Sequence, residues 1–359
     1  MSLPPADLRS RLGARFERIW ADRGWASNAL LPLSWIFATL IAARHWLHRH
    51  GWLPTHHLPV QVVVVGNLLV GGAGKTPATI AIVGLLRRHG RTPGIVSRGY
   101  GRDDDSVRDV GAASDVRTVG DEPLVLARRT GVPVFVGRDR VAAGHALLQA
   151  HPSVDIVVSD DGLQHLGLGR DLEVLVFDER GVGNARLLPA GALREPLPLA
   201  TKPGRLVLYN AAAATTPLAG FVGVRSLAGV VTLDDWWQGT APTLAALEAL
   251  RGKRVVAAAG LARPQRFFAM LREHGLEIIE LALPDHHDFG TLPWPITTAD
   301  VVVTEKDAVK IDAARRLGTR VWVAALDFRP EPAFDEALLT LLPRPDPLPT
   351  HEPNGNPTP

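Results

Sequence analysis

From residue 59 onward the chain alternates short β-branched apolar runs with longer segments of helical periodicity, a pattern that predicts a parallel α/β sheet with helices on both faces. Strands are predicted near Gln61–Val65, Thr92–Val96, Val132–Val136, Asp155–Ser159, Leu172–Phe177 and Arg205–Tyr209, and helices near Pro77–His89, Glu122–Thr130 and Arg138–Ala150. The run Asn210-Ala-Ala-Ala-Ala-Thr-Thr-Pro217 reads as a connector. A second strand–helix series follows through Lys253–Ala259, Leu261–His274, Val301–Thr304 and Val321–Ala324. The expected organisation is a helical N-terminal segment over 1–58, the main α/β core over 59–215, a smaller α/β domain over 216–342 and a disordered tail over 343–359, where proline and polar residues dominate.

The first fifty residues follow a different pattern. Leu8, Leu12, Phe16 and Ile19 share one helical stripe, with Arg11, Arg18 and Arg23 around it. The apolar stretch Ala29–Ala43 is broken by Pro32 and falls short of the roughly 20 residues a membrane-spanning helix needs. Arg44-His-Trp-Leu-His-Arg-His50 follows it, and Trp20, Trp25, Trp35, Trp46 and Trp52 crowd the region. Tryptophan and arginine beside an apolar helix suit the headgroup zone of an anionic bilayer; the alternative is a helical hairpin packed on the protein's own core. Met1–Asp7 carries no basic region of a cleavable signal, so the start of the chain is expected to be retained.

Composition narrows the field only modestly. With 359 residues, 46% hydrophobic and 21% charged, the chain is globular and long enough for two domains. Lys plus Arg number 39 against 37 Asp plus Glu, and this near balance gives no sign of a nucleic-acid partner. The absence of cysteine excludes disulfides, thiolate metal sites and cysteine nucleophiles.

The chemistry concentrates where predicted strands end. Val62-Val-Val-Val-Gly-Asn-Leu-Leu-Val-Gly-Gly-Ala-Gly-Lys-Thr-Pro77 reads as a buried strand, a glycine-rich loop and a helix start, the arrangement that cradles a nucleoside triphosphate. Gly71, Gly72, Ala73 and Gly74 would bring backbone N–H groups to phosphate, Lys75 would neutralise its charge, Thr76 would offer a hydroxyl to Mg²⁺, and Pro77 would open the helix. Leu69 stands where the usual spacing has its first glycine, so the loop is a variant. Asp160 and Asp161 end another predicted strand as in a Walker-B-like Mg²⁺ site, with His165 nearby. Asp121 is either a helix N-cap or a catalytic carboxylate. In Pro284-Asp-His-His-Asp-Phe289 the acids and histidines stand too close together for a self-contained zinc cage, and a histidine–carboxylate pair acting as base is the better reading. Because Gly66, Ser97-Arg-Gly-Tyr-Gly101, Asp160-Asp161 and Asp178 all follow strand ends, they are expected on one rim of the sheet.

Taken together the motifs resemble those of the tetraacyldisaccharide 4′-kinase family, the lipid A 4′-kinases of Gram-negative bacteria. The resemblance runs from about Leu31 to Leu342 and is carried by the glycine loop, Ser97–Gly101, Gly120-Asp-Glu-Pro123, Asp160–His165, Leu187–Pro196, Pro284–Phe289 and Thr304-Glu-Lys-Asp307. Ala73 departs from the family's usual threonine, and Leu163 and Leu166 stand where aromatics are common. The resemblance implies a P-loop NTPase-like kinase core, ATP and Mg²⁺ as cofactors, and transfer of the γ-phosphate to the 4′-hydroxyl of a tetraacyldisaccharide 1-phosphate. It implies an enzyme associated with the inner membrane and facing the cytoplasm, and it says nothing of protein partners. It further implies Lys75 and Thr76 on phosphate and Mg²⁺, with Asp160, Asp161 and His165 as the second half of that site. Asp121 would be the base, paired with His286 or alternatively His287; Arg98 and Tyr100 would contact the lipid headgroup, and Arg194 and Glu195 would support nucleotide or metal. Two other classes compete: a P-loop switch ATPase or GTPase, which leaves the tryptophan-rich segment and Pro284–Phe289 unassigned, and a membrane adaptor, which explains the first fifty residues alone.

Overall fold

The computed structural model describes residues 16, 18–312 and 318–343, so the predicted stripe before Phe16 and the tail beyond Pro343 lie outside the described residues. Twelve strands form one sheet in the order β10-β9-β11-β12-β8-β7-β6-β1-β5-β2-β4-β3. They are β1 (Gln61–Gly66), β2 (Pro93–Ser97), β3 (Arg108–Asp109), β4 (Val134–Val136), β5 (Ile156–Asp160), β6 (Leu172–Asp178), β7 (Arg205–Asn210), β8 (Phe221–Thr232), β9 (Arg254–Ala259), β10 (Glu277–Ala282), β11 (Asp300–Thr304) and β12 (Arg320–Pro330).

The pattern of apolar residues explains the sheet's centre. Val62, Val63, Val64 and Val65 are all buried, because β1 lies between β5 and β6 with cover on both faces. On one face Val63 and Val65 meet Ile82 and Leu86 of the helix Lys75–Arg88 and Leu124 of the helix Asp121–Thr130. On the other, Val62 and Val64 meet Leu147, Phe177 and Tyr209.

The sheet is mostly parallel, with β8–β12 and β3–β4 antiparallel. Strand β8 is parallel to β7, while β12 runs against it from Gly223↔Pro330 to Thr232↔Trp322, with a bulge between Ala325 and Leu326. The four strands β10-β9-β11-β12 are parallel to one another. They therefore run opposite to the strands around β1. The long β8–β12 pair lets the carboxyl rims of the two halves face each other. One apolar cluster spans both, holding Val158 and Val174 together with Val303, Val323 and Phe334.

Near the N-terminus, Leu31–Arg49 forms a 19-residue helix with Pro32 in its first turn. Proline there starts the helix rather than breaking it, since its missing N–H has no intrahelical acceptor to serve. This helix and the turn before it are tied to the loop after β6: Ser27 Oγ donates to Ala190 O at 2.6 Å, Ser34 Oγ to Leu187 O at 2.9 Å and Trp20 Nε1 to Pro189 O at 2.9 Å. Its opposite face exposes Leu33, Trp35, Ile36, Leu40 and Trp46. Among the described residues no helix is long and apolar enough to cross a membrane.

Candidate active site

The glycine loop is shaped by what surrounds it. Leu69 is buried and bridges to Leu193, so the position of the usual first glycine serves the core and the turn begins at Gly71. Gly71 and Gly74 adopt φ of +91° and +84°, which an L side chain rarely takes. A Cβ on Gly74 would also collide with Asn210 Nδ2 and stand 2.6 Å from Arg225 Nη2. Arg180 fastens the loop from below, donating from Nη1 to Val70 O at 3.1 Å and from Nη2 to Gly72 O at 3.0 Å, and Asn210 Nδ2 donates to Ala73 O at 3.2 Å. The helix Lys75–Arg88 starts directly after Gly74, so its unpaired N–H groups open toward the loop.

Lys75 Nζ donates to Asn67 Oδ1 at 3.3 Å and lies 3.7 Å from Asp161 Oδ1. Arg194 reaches the same two groups, donating from Nη2 to Asn67 Oδ1 and to Asp161 Oδ1, the latter at 3.2 Å. Burial would raise the proton affinity of Asp161, but Lys75 and Arg194 outweigh it and hold the carboxyl below its ordinary range. Asp160 differs: it is fully buried and accepts from Thr79 Oγ1 at 2.9 Å, one turn beyond Thr76. Burial, with Glu122 and Asp161 adding repulsion, pushes it up to about 7. Glu195 turns away from the loop, its Oε2 3.4 Å from His45 Nε2 on the N-terminal helix. His165 lies 3.9 Å from Asp139 across an arginine-rich cleft, and burial with the nearby Arg140 brings it down to about 4, so it is neutral at pH 7.

Across the gap between the two rims stands a second cluster. His286 Nδ1 lies 2.9 Å from Asp121 Oδ2, although 165 residues separate them in sequence. Burial favours the neutral form of Asp121, yet the hydrogen bond from His286 and the charges of Lys306 and Lys310 prevail and lower it to about 2. His286 holds a left-handed φ of +60°, which aims its ring at Asp121 with the Tyr100 ring 5.4 Å away. His287 points elsewhere: its ring packs edge-on against Phe289 at 4.9 Å. The structure thus brings Asp121 together with His286, Tyr100, Lys306 and Lys310, and leaves His287 outside the group.

Two cavities join at this point. One, of about 500 Å³, is walled by Gly71, Gly72, Gly74, Lys75, Thr76 and Pro77 on one side and by Leu261, Arg266, His286 and Lys306 on the other. The second, of about 790 Å³, is lined by Arg44, Arg98, Arg138, Arg140 and Arg194, by Asp105, Asp139 and Asp161, and by Gln164 and His165, with Arg138 paired to Asp105 at 3.0 Å. Arg98, Asp161 and Arg194 border both. Several residues here carry no sequence signal of their own. Arg225 on β8 lines the first cavity, where burial disfavours its charged form and its Nε is without a partner. Asn67 and Glu122 stood inside recognised motifs but only the fold gives them partners.

Residues 26–343 match the family model for tetraacyldisaccharide-1-P 4′-kinase. The chain is 53% identical over 346 residues to the tetraacyldisaccharide 4′-kinase of Methylibium petroleiphilum, covering 94% of this chain and 96% of that one. It is 54% identical over 342 residues to the corresponding protein of Leptothrix cholodnii, covering 94% and 98%. Its structure resembles the crystal structure of the "apo" form of LpxK from Aquifex aeolicus in complex with ATP, with a TM-score of 0.73, 28% identity and coverage of 88% of this chain and 98% of that one.

Proposed function

The chain belongs to the tetraacyldisaccharide-1-P 4′-kinase family, and on that premise we propose that it transfers the ATP γ-phosphate to the lipid's 4′-hydroxyl across the gap between its two rims. The observation that carries this reading is the hydrogen-bonded Asp121–His286 pair facing a P-loop. Lys75, Arg225 and the helix start at Gly74 hold the triphosphate, while Arg194 bridges that site to the arginine-lined cleft. Arg98, Arg138 and Arg140 give this cleft the charge to receive a phosphorylated sugar headgroup, while Tyr100 lines the adjoining cavity beside His286.

In the reaction the 4′-oxygen forms a bond to the γ-phosphorus as the bond to the bridging oxygen of ADP breaks, and the hydroxyl proton passes to Asp121. A carboxylate held at about 2 is a weak base. That suffices for a loose transition state in which the proton leaves late, and positioning supplies most of the acceleration.

The donors present suit Mg²⁺. Thr76 offers a hydroxyl and Asp161 a carboxylate at the cavity, and Asp160 behind them is a carboxylate whose ionisation a nearby cation would favour. Bound there, Mg²⁺ would neutralise charge on the transferring phosphate.

We place the enzyme peripherally on the inner membrane, facing the cytoplasm that supplies ATP. Leu33, Trp35, Ile36, Leu40 and Trp46 form the apolar face of a helix whose last turn carries His48 and Arg49, a combination suited to an anionic interface. The separation into a 59–215 core and a 216–342 domain is likewise our reading of the opposed half-sheets. The test is incubation with γ-labelled ATP, Mg²⁺ and tetraacyldisaccharide 1-phosphate in detergent micelles. Label on the lipid supports the proposal; label released only as inorganic phosphate refutes it in favour of a switch NTPase.

A further inference from the structure

The quartet Thr304-Glu-Lys-Asp307 has no part in the transfer scheme above, yet Glu305, Lys306 and Asp307 each reach a different group around Asp121, and Thr304 holds Asp307. Thr304 caps the short helix Glu305–Ala308: its Oγ1 accepts from Asp307 N at 3.3 Å and donates to Asp307 Oδ2 at 2.7 Å. Glu305 is buried and pairs with Arg129 at 2.7 Å, on the same helix that begins with Asp121. Asp307 accepts from Gly260 N at 3.2 Å and lies 3.5 Å from Lys310, which stands 3.7 Å from Asp121. Lys306 is left facing the gap. Its Nζ lies 3.3 Å from Glu122 Oε1, 3.4 Å from Asp285 Oδ1 and 3.4 Å from His286 Nε2.

These contacts restrict the protons on the His286 ring. Asp121 is an ionised carboxylate, which can only accept, so Nδ1 must carry the hydrogen that it donates to Oδ2 at 2.9 Å. An ammonium can only donate, so the ring nitrogen facing Lys306 must offer a lone pair. The carboxylate of Asp285 is the one group that could reverse this by drawing a proton onto Nε2. Its Oδ2 is 3.9 Å from Nε2, beyond hydrogen-bond range, while its Oδ1 already accepts from Lys306. We propose that Lys306 is a positioning residue for phosphoryl transfer: it fixes His286 as the neutral Nδ1–H tautomer and so aims a single hydrogen bond at the base Asp121.

Glu305 and Thr304 then have a role as well. Thr304 caps the lysine's short helix and Glu305 pins that helix to the Asp121 helix through Arg129, so Lys306 and Asp121 are referenced to one rigid element. With His286 on Oδ2 and Glu122 N donating to Oδ1 at 2.9 Å, a base held by a neutral donor still keeps a lone pair for the sugar hydroxyl. A ring free to take the other tautomer would present Nδ1 as an acceptor facing a carboxylate, and the pair would part.

The kinetic part of this inference rests on Asp121 acting as the base; the tautomer does not, and the experiment separates them. In ¹⁵N-histidine-labelled protein, with the His286 signals assigned by their loss in His286→Gln, two-bond ¹H–¹⁵N spectra are expected to show a protonated Nδ1 and an unprotonated Nε2. A protonated Nε2 with bare Nδ1 would overturn the proposal without any kinetic measurement. In parallel, Lys306→Met is expected to lose about 100-fold in kcat, within the range a general base contributes, at an ATP KM changed less than threefold. Lys306→Arg, whose guanidinium also donates and never accepts, should retain at least tenfold more activity than Lys306→Met. A large rise in ATP KM with kcat preserved would make Lys306 a nucleotide ligand instead, and equal losses in the Met and Arg variants would equally refute the assignment. Should Asp121→Asn leave turnover intact while the tautomer is as described, the fault lies with the base and not with Lys306.

Discussion

Replacing Asp160 by Asn should stabilise the nucleotide-free protein, and by an amount that grows with pH. Asp160 is fully buried, accepts one hydrogen bond from Thr79 and faces the negative charges of Glu122 and Asp161, with Lys75 as the offsetting cation. Burial first, and those charges second, raise it from 3.8 to about 7. A carboxyl whose folded value is raised stabilises least when ionised: the folded state binds the proton that the unfolded state has lost, so stability falls as pH rises from about 4 to about 7 and then levels off. At about 1.4 kcal/mol per pH unit, the ionised group costs about 4 kcal/mol at pH 8 and under about 2 kcal/mol at pH 5, an upper bound because buried sites relax. Asn keeps the acceptor for Thr79 and carries no charge. Using about 2.1 cal/mol/K per residue for the unfolding entropy of 359 residues, Tm should rise by about 6 °C at pH 8 and about 2 °C at pH 5. Thermal melts of both proteins in EDTA, scanned by tryptophan fluorescence, would measure this. A pH-independent difference, or a lower Tm for the variant at pH 8, would refute the reasoning that Asp160 is a desolvated, repelled carboxylate.

Three further outcomes follow from the site. His286→Ala should reduce kcat by about 10²-fold or more, whereas His287→Ala, which removes a ring packed on Phe289, should alter melting temperature more than turnover; steady-state kinetics beside thermal melts separates them. Arg225→Met should weaken ATP binding by about tenfold or more, read by titration calorimetry, because its guanidinium lines the nucleotide cavity with Nε unpartnered; unchanged affinity would remove it from the phosphate site. Ile36→Ser with Leu40→Ser should lower partition onto anionic vesicles about 100-fold, the value of about 3 kcal/mol of lost apolar burial, while leaving activity on a micelle-dispersed substrate largely intact.

The sequence exposed the centre of the molecule more clearly than its edges. Four consecutive valines could only be a strand covered on both faces, and the loop that follows is read from its glycines and Lys75-Thr76. The predicted gathering of Gly66, Ser97, Asp160 and Asp178 is met because β1, β2, β5 and β6 are parallel and end together. By contrast, β8 was hidden: Phe221–Thr232 mixes glycine, arginine and serine with its valines, and its burial follows no strict alternation because it crosses from one half-sheet to the other. Strand β10 lies at the sheet edge with its glutamates exposed, so its pattern lacked a buried face. At the site, two adjacent histidines cannot be told apart by spacing. The left-handed turn at His286 decides which one meets Asp121. Arg180, Asn210 and Arg225 act on the glycine loop from strands or turns far along the chain, and nothing local marks them.

The central claim is that a base from one rim and a histidine from the other act together on the acceptor hydroxyl. The most direct measurement is single-turnover transfer of γ-labelled phosphate to tetraacyldisaccharide 1-phosphate by Asp121→Asn, with ATP affinity determined on the same preparation. A rate lower by about 10²- to 10⁴-fold with ATP affinity retained is the expected result. A rate within tenfold of the unsubstituted enzyme would contradict the claim and leave the Asp121–His286 contact as a structural clasp between the two halves.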